Sequence, residues 1–379
     1  MRPVVAPADS AARLAYVDAL RGLAIIGVLF IHTVVYGTEL HWLNLWLRNA
    51  FDVGSRGVQL FFLVSAFTLC RSAQTRRNEQ APTRNFFLRR LFRIAPLYWL
   101  GVLFYGFLWP WLSGQPSTAT PANTLAHLTF LNGLSPYWLN NPVPGGWSIS
   151  VEVWFYAVAP WLFASLGTAD RAARFVAISV AVGVASTLVL LPRQPIADAT
   201  LWWQYLFWWF PSQLPHFGLG VLLNRVCTGP PEARALRRST WALLAAAAVA
   251  VLCTVRPLGG SLHYVFGTFF FGLTWVMSRG GLRPLVNRAT TFLGTHSYCL
   301  YLSHFMVLYG LGHFGVAQLV PVSGTASALL GIGLRFCLVL GLGAVASVVL
   351  HRLVEVPGQE LGRRLVRRLE RGPTGHRTR

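Results

Sequence analysis

The 379-residue sequence contains no lysine and only 12 acidic residues, and its charged residues amount to 12% of the chain. Soluble globular proteins usually carry about 25% charged residues, so about half of the expected charge is missing. The mean hydropathy of +0.50 is correspondingly high. These shortages exclude an ordinary water-soluble domain and indicate a polytopic membrane protein.

Motifs for several kinds of catalytic site are also missing. The histidines His127, His216 and His263 have no spacing that is typical of metal ligands, and no HExxH, P-loop or GxSxG motif occurs at a useful place. No CxxC pair is formed by the five cysteines, which are Cys70, Cys227, Cys253, Cys299 and Cys337. We therefore expect no metal ion, no nucleoside triphosphate site, no serine hydrolase site and no permanently bound cofactor.

The positive charge of the chain, formally +20, comes from 32 arginines. A nucleic-acid-binding protein would gather this charge on one soluble face, whereas here the arginines fall between apolar segments. We therefore expect no nucleic-acid partner, and we expect the lipid bilayer to surround the chain.

Ten apolar windows are long enough, or nearly so, to cross about 30 Å of hydrocarbon at about 1.5 Å per residue. These windows lie at residues 17–36, 57–70, 94–112, 147–166, 175–192, 200–224, 240–256, 261–278, 291–312 and 326–350. The second is short and needs residues upstream of Gly57, and the sixth is interrupted at residues 211–218, where two prolines break the helix. The predicted fold is an all-α membrane bundle of about ten transmembrane helices.

The arginines also predict the orientation of these helices. If the N-terminus is inside, 27 arginines lie in cytoplasmic segments, four lie on the opposite side, and Arg335 lies within the last span. Because positive residues favour the cytoplasmic side, we expect both termini in the cytoplasm of a bacterium and the bundle in its inner membrane.

Three regions follow from this topology. Residues 1–16 form a cytoplasmic segment, residues 17–357 form the membrane domain, and residues 358–379 form a basic tail. The tail is partly amphipathic and is predicted to be an interfacial helix held by anionic lipid. The connection at residues 113–146 is predicted to be a surface or re-entrant segment on the far side of the membrane.

The first span carries two basic residues, Arg21 and His32, on one helical face. They are eleven residues apart, so they point within about 20° of each other and lie roughly 16 Å apart along the axis. An ionisable residue at membrane depth is costly and suggests function. A snorkelling anchor for Arg21 and a hydrogen-bonded interior residue for His32 are the structural alternatives.

Two further segments contain candidate residues. Arg89, Arg90 and Arg93 precede a span in which Pro96 lies near the start, a place where arginine can hold phosphate bidentately or simply set the orientation. Ser148 and Glu152 lie four residues apart, on one face at the non-cytoplasmic end of another span. A carboxylate within the membrane is expected to be paired or functional.

With these residues in view, the sequence resembles the acyltransferase 3 family of membrane O-acyltransferases. The resemblance is collinear over essentially the whole chain and rests on six segments, which are DALRGLAIIGVLFIH, FFLVSAFTL, FFLRRLFRIAPLYW, WSISVEVWFY, GTHSYCLYLSH and HRLVEVPG. The chain departs from the family pattern at Ala66, where a glycine often follows Ser65, and we expect no extracellular hydrolase domain of the kind fused to some members.

The resemblance implies roles for individual residues. His32 and Glu152 are implied as catalytic residues, and the donor-binding residues are Arg21, Arg90 and Arg93. The implied substrate-binding residues are Trp147, Ser148, Tyr298 and His304. Other positions that match the family pattern are Ser297, Tyr301, Glu355 and Pro357.

Several roles stay open at this stage. His32 fits either a general base or a carrier of the acyl group. Glu152 fits orientation of His32, binding of sugar hydroxyls or neutralisation of an arginine, and the topology, which puts it on the acceptor side, favours sugar or partner orientation. His304 fits either a site residue or a hydrogen bond between helices.

The expected activity is transfer of an acyl group, by default acetyl, from cytoplasmic acyl-CoA to a hydroxyl of a glycan, glycolipid or glycosylated metabolite on the far side of the membrane. A transporter or flippase of a glycolipid or small metabolite is the alternative, since many spans, a broken helix and buried His and Glu also describe a carrier.

Overall fold

The computed structural model describes residues 14–37, 39–258, 262–316 and 320–371. Helix makes up 83% of the structure, and within these ranges there is no β-strand. The predicted all-α class is confirmed, and the chain is a helical membrane bundle.

The helices fall into long segments that form the bundle and short ones that lie in its connections. In chain order they are α1 (Ala15–Val35), α2 (Leu45–Asp52), α3 (Gly57–Thr75), α4 (Pro82–Leu103), α5 (Trp109–Ser113), α6 (Pro121–Leu128), α7 (Gly146–Ser165), α8 (Ala169–Leu190), α9 (Ala199–Trp208), α10 (Phe210–Thr228), α11 (Arg238–Leu258), α12 (Leu262–Ser278), α13 (Arg288–Thr295), α14 (Ser297–His313), α15 (Thr325–Leu350) and α16 (Val356–Arg371).

Six helical segments of the described chain are long and apolar enough to cross a membrane. They are Ala15–Val35, Leu45–Thr75, Pro82–Ser113, Ala169–Arg193, Pro231–Thr254 and Thr325–Arg371. The remaining predicted windows coincide with α7, with α9 and α10, with α12, and with α13 and α14. The second span extends upstream of Gly57 through α2, as its short apolar window requires.

Three predicted windows differ in detail from the helices that form. The break in the sixth window lies at Trp209, before the prolines, and Pro215 lies inside α10. The ninth window is two helices, since His296 separates α13 from α14. Helix α4 begins at Pro82, so its arginines lie within the helix and do not precede it. Proline at the first position of a helix loses no hydrogen bond, which explains this earlier start.

Several helices begin at a side chain that accepts a hydrogen bond from the first turn. Asn287 accepts from the backbone N–H groups of Ala289 and Thr290 at the start of α13, and Thr168 accepts from Arg171 at the start of α8. Such caps satisfy backbone donors that have no partner inside the helix. They fix the ends of helices whose interiors are held by apolar packing.

Helix α1 lies at the centre of the bundle, against α3, α13, α14 and α15. It meets α13 at backbone distance, because Gly22 faces the carbonyl of Thr290 and Gly294 faces the carbonyl of Asp18. A Cβ at either glycine would overlap these atoms. The contact fixes the position of the helix that carries Arg21 and His32.

The predicted surface segment at residues 113–146 folds back onto the bundle. His127 of α6 is fully buried, and its ring hydrogen bonds to Tyr98 of α4 at 2.8 Å and to the carbonyl of Trp138 at 2.8 Å. The segment therefore packs against α4 and leads directly to the start of α7.

Residues 358–371 of the predicted tail belong to helix α16, which packs on α4, and residues 372–379 lie outside the described residues. Gly362 lies against Phe92 and Val366 is buried, so the apolar side of the helix faces the bundle. The helix begins at Val356, two residues before the predicted start of the tail, and continues the bundle without a linker.

The C-terminal end of α1 is held by a buried ion pair. Arg335 of α15 and Glu39 are each 1% exposed, and two hydrogen bonds of 2.8 and 2.7 Å join the guanidinium to the carboxylate. Arg335 also donates from Nε to the carbonyl of Thr33, the residue after His32. The pair ties the end of α1 to α15.

We predict that Glu39→Ala destabilises the protein by about 3–5 kcal/mol, because Arg335 then stays buried without its carboxylate. The double variant Glu39→Met with Arg335→Met is expected to lose less stability than Glu39→Ala, since it leaves no unpaired charge in the bundle. The measurement is the apparent melting temperature in detergent. A single variant as stable as wild type would contradict the assignment of this pair as a structural tie.

Candidate functional site

Helices α1, α3, α4, α7 and α14 enclose a cavity of about 80 Å³ in the centre of the bundle. The polar side chains around it are Arg21, Ser65, Thr68, Arg90, Arg93, Ser148, Glu152, Tyr156, Ser297, Tyr298 and Tyr301. Six of the nine predicted site residues therefore meet at one cavity, although they lie up to 277 positions apart in the chain.

Three arginines occupy one end of this cavity. Arg21 donates to Thr68 at 3.3 Å and lies 3.8 Å from Asp18, three residues earlier on α1. Arg90 and Arg93, one turn apart on α4, face the same space. The buried Nε of Arg90 finds no hydrogen-bond partner among the described residues. The cavity thus contains unused guanidinium donor capacity, which suits an anionic ligand.

Glu152 is the carboxylate of this arginine end. Its Oε1 accepts hydrogen bonds from Ser65 at 2.6 Å and from Tyr156 at 2.7 Å. The same carboxylate attracts all three cavity arginines electrostatically. Its neighbours are therefore the groups that the resemblance assigns to the donor.

The sequence-based preference for sugar or partner orientation rested on a topology in which Glu152 lies on the acceptor side. In the structure α7 carries Glu152 one turn deeper than Ser148 and into the arginine end. Neutralisation of arginine, one of the three open roles, fits this placement. His32 is instead hydrogen bonded to His304.

The opposite end of the cavity is closed by Ser148 and Tyr301. The Tyr301 hydroxyl donates to the carbonyl of Gly145 at 2.9 Å and accepts from Ser148 at 2.8 Å. Gly145 has φ +72°, and a Cβ there would lie 2.6 Å from the tyrosine oxygen. The left-handed glycine is what lets the turn before α7 receive Tyr301.

Beyond Tyr301 lies a pair of histidines. Nδ1 of His32 and Nε2 of His304 are 2.8 Å apart, and the two ring planes differ by 12°. The Tyr301 ring is 5.9 Å from that of His304, and Phe305 packs 4.6 Å from the ring of His32. His304 is fully buried, whereas His32 keeps partial exposure.

The hydrogen bonds of the pair assign its tautomers. Nδ1 of His304 lies 3.1 Å from the carbonyl oxygen of Leu300, which only accepts, so this nitrogen carries the proton. In a neutral imidazole Nε2 is then an acceptor, and His32 must donate to it from Nδ1. The Nε2 of His32 is left with a free lone pair. This is the state that a general base or a nucleophile requires.

Not every predicted residue belongs to the cavity. Trp147, predicted to bind substrate, packs against Trp208 at 5.4 Å and Phe62 at 6.2 Å and is 7% exposed. Tyr298 faces the cavity, but its hydroxyl donates to the carbonyl of Ile94 at 2.7 Å. Trp147 thus packs α7 against aromatic neighbours, and its role in substrate binding stays a prediction.

The structure places three further residues at the candidate site whose contacts the sequence did not predict. Ser65 and Tyr156 hold Glu152, and Tyr301 separates the cavity from the histidines. All three stand in segments that carry the family resemblance, but their spacing in the chain gives no sign of their partners.

One group among the described residues has the composition of a metal site. The ligand atoms of Cys299, His351 and Glu355 lie within 4.8 Å of one another, where no metal was expected. The thiol and the imidazole both point at Oε2 of Glu355, at 3.1 and 2.9 Å, and Gln359 donates to Oε1. Hydrogen bonds alone account for this geometry, so the expectation of no metal stays a prediction.

We predict that Gly145→Ala destabilises the protein more than Gly114→Ala. Both glycines have a positive φ, which costs an alanine about 1–2 kcal/mol. Only Gly145 faces the Tyr301 hydroxyl, whereas open space surrounds Gly114, so overpacking adds about 1–3 kcal/mol at Gly145 alone. Melting temperatures of the two variants in detergent test this difference. Equal losses of melting temperature would contradict the prediction and show that the Tyr301 side chain moves away from the added methyl group at little cost in stability.

The comparisons with known proteins identify the family of the chain. The sequence model of the acyltransferase domain family known as acyltransferase 3 matches residues 14–352, nearly the whole chain, and ends before α16. Searches of curated proteins and of solved structures find no match. The family model covers every one of the predicted site residues, from Arg21 to His304. The chain belongs to the acyltransferase 3 family and is a multi-pass membrane acyltransferase.

Proposed function

We propose that this protein transfers an acyl group, by default acetyl, from acyl-CoA to a hydroxyl of a carbohydrate-containing acceptor across the inner membrane of a bacterium. The observation that carries the proposal is a cavity with arginines at one end and, beyond Tyr301, a hydrogen-bonded histidine pair. The first group suits a phosphorylated donor, and the second suits proton transfer at a hydroxyl.

The proposed topology has ten membrane crossings and both termini in the cytoplasm, in line with the distribution of arginines. In this orientation the arginine end of the cavity opens toward the cytoplasm, where acyl-CoA is made. His32 lies eleven residues further along α1, roughly 16 Å away at 1.5 Å per residue. An extended thioester arm spans such a distance.

In the proposed reaction, Nε2 of His32 takes the proton of the acceptor hydroxyl. The oxygen then bonds to the thioester carbonyl carbon, and the carbon–sulfur bond breaks. The released CoA thiolate takes the proton from the imidazolium and leaves as a thiol. His304 keeps the His32 ring in the required tautomer, as the third group of a catalytic triad does.

A second route uses the same lone pair, because Nε2 of His32 can instead attack the thioester and carry the acyl group to the acceptor. The two routes differ in kinetics. An acyl-histidine intermediate gives ping-pong behaviour and releases CoA before acceptor is added, whereas the general-base route needs both substrates bound.

We assign Glu152 to the donor end, where it balances part of the charge of three arginines. Without it, Arg21, Arg90 and Arg93 would repel one another inside the bundle. Ser65 and Tyr156 hold this carboxylate in place. Ser148 and Tyr301 lie where the acyl group would pass.

We predict that His32→Ala binds CoA normally and transfers the acyl group about 10²–10⁴-fold more slowly, since it lacks the base. The assay is release of free CoA thiol with acceptor, together with mass spectrometry of glycans and exported glycosylated metabolites from a deletion host complemented with each variant. His41→Ala is the matched control, because this histidine is exposed and lies nine residues after His32.

Near-normal transfer by His32→Ala would remove His32 from the mechanism. The protein is a transporter if the wild-type protein releases no CoA and the deletion host lacks a whole glycan instead of an ester-linked acyl group. Loss of the ester in both the deletion and the His32→Ala strain supports the proposal and names the acceptor.

We predict that His304→Phe lowers kcat at least about tenfold and leaves the KM for acyl-CoA unchanged, because the His32 ring loses its acceptor. His304→Gln is expected to recover part of the rate, since an amide oxygen accepts the same hydrogen bond. Equal losses in both variants, with a rise in KM, would indicate a packing role only.

A further inference from the structure

A second, larger cavity lies next to the central one, on the other side of Arg90 and Arg93. It has a volume of about 600 Å³ and is formed by the turn between α3 and α4, the first turns of α4 and the tail helix α16. Its charged residues are Arg76, Glu79, Arg89, Arg90, Arg93, Arg363, Arg367, Glu370 and Arg371. We call this space the vestibule. Seven arginines against two glutamates leave a formal excess of five positive charges.

The vestibule and the central cavity meet at two shared residues, Arg90 and Arg93. The two spaces differ in capacity. The central cavity of about 80 Å³ is several times smaller than the vestibule of about 600 Å³ and is too small for a nucleotide. The vestibule lies within the range of about 300–1,000 Å³ that is usual for small-molecule sites.

The tail helix is docked so that it walls this space. Glu370, near its end, accepts from the backbone N–H groups of Gln80 and Ala81 and from the side chain of Asn85 at 2.7 Å. With Val366 buried, one side of the helix is held on the bundle. Arg363 and Arg367 then line the vestibule.

The glutamates neutralise only part of this charge. Burial would raise the pKa of Glu79, but hydrogen bonds from Arg89 and Asn85 outweigh it and lower the pKa below its ordinary value, so Glu79 stays ionised. Partial burial and the positive charge of Arg89 lower the pKa of Arg76. On the tail, the single carboxylate of Glu360 is shared among Arg363, Arg364 and Arg367. Crowded guanidinium groups of this kind favour an anionic ligand.

We infer that the vestibule binds the nucleotide end of the acyl-CoA donor, with Arg363 and Arg367 of the tail helix among its phosphate ligands. This inference rests on the proposed function. Coenzyme A carries three phosphate groups on a bulky nucleotide, joined to a slim pantetheine arm that ends in the thioester. The wide basic vestibule and the narrow cavity reproduce that order of shapes and charges. The tail lies beyond residue 352, outside the region that the family match covers.

The test measures binding of CoA to the full-length protein in phosphatidylcholine nanodiscs by calorimetry. We expect the double variant Arg363→Gln with Arg367→Gln to raise the Kd for CoA at least about tenfold, because two charge-assisted contacts are lost. The matched control is Arg364→Gln with Arg368→Gln, which removes the same charge from the same helix at positions that do not line the vestibule. We expect the control to stay within about threefold of wild type. Melting temperatures of both variants confirm that they are folded.

Three outcomes would overturn the inference. Equal weakening by both double variants would show a general effect of the basic tail, and unchanged CoA affinity in the first would remove the tail from the site. The third is a change confined to binding of phosphatidylglycerol vesicles, which would identify a lipid headgroup as the phosphate source.

The failure of the proposed function looks different. If wild type binds no CoA, the donor assignment itself falls. If wild type binds CoA and Arg90→Gln with Arg93→Gln abolishes it while the tail variants bind normally, the proposed function stands and the inference about the tail falls.

Discussion

The structure depends on keeping three guanidinium groups together at the centre of an apolar bundle. Isolated charges in such a medium are costly, and like charges side by side are costlier still. Glu152 attracts all three of Arg21, Arg90 and Arg93, its position is held by two hydroxyl donors, and Asp18 lies 3.8 Å from Arg21. Helices α1, α3, α4 and α7 must therefore meet at one height, because each supplies a member of this group. The same incomplete neutralisation leaves a positive end that an anionic substrate can complete.

The general architecture was predictable because it follows from one-dimensional signals. Apolar windows gave the helices, and the eleven-residue spacing in α1 predicted that Arg21 and His32 share one face. Local breaks were harder to place. The sequence indicated that prolines would end the sixth window, yet the chain breaks at Trp209 and accommodates Pro215 within a helix. Packing against neighbouring helices decides such positions, and a single sequence carries no record of it.

The candidate site divides in the same way. Residue types at membrane depth, together with the family resemblance, gave nine candidate site residues, and six of the nine line one cavity. Their pairing was not predictable, because His32 and His304 are 272 residues apart and Ser65 and Glu152 are 87 apart. Glu152 shows the limit most clearly. Topology put it on the acceptor side, whereas the depth of one helical turn puts it among the arginines. The sequence showed Arg335 only as a charge within the last span, whereas the structure pairs it with Glu39.

The glycine contact between α1 and α13 fixes the register of α1 against its neighbour. With no side chain between them, the two backbones interlock, and sliding α1 by even one residue would bring a Cβ into the carbonyl of Thr290 or Asp18. The contact fixes the depth of Arg21 and His32 relative to α13, while the rise of α1 sets their separation along its axis. Helix α1 therefore holds its two candidate functional residues at a set spacing and at a set depth in the bundle.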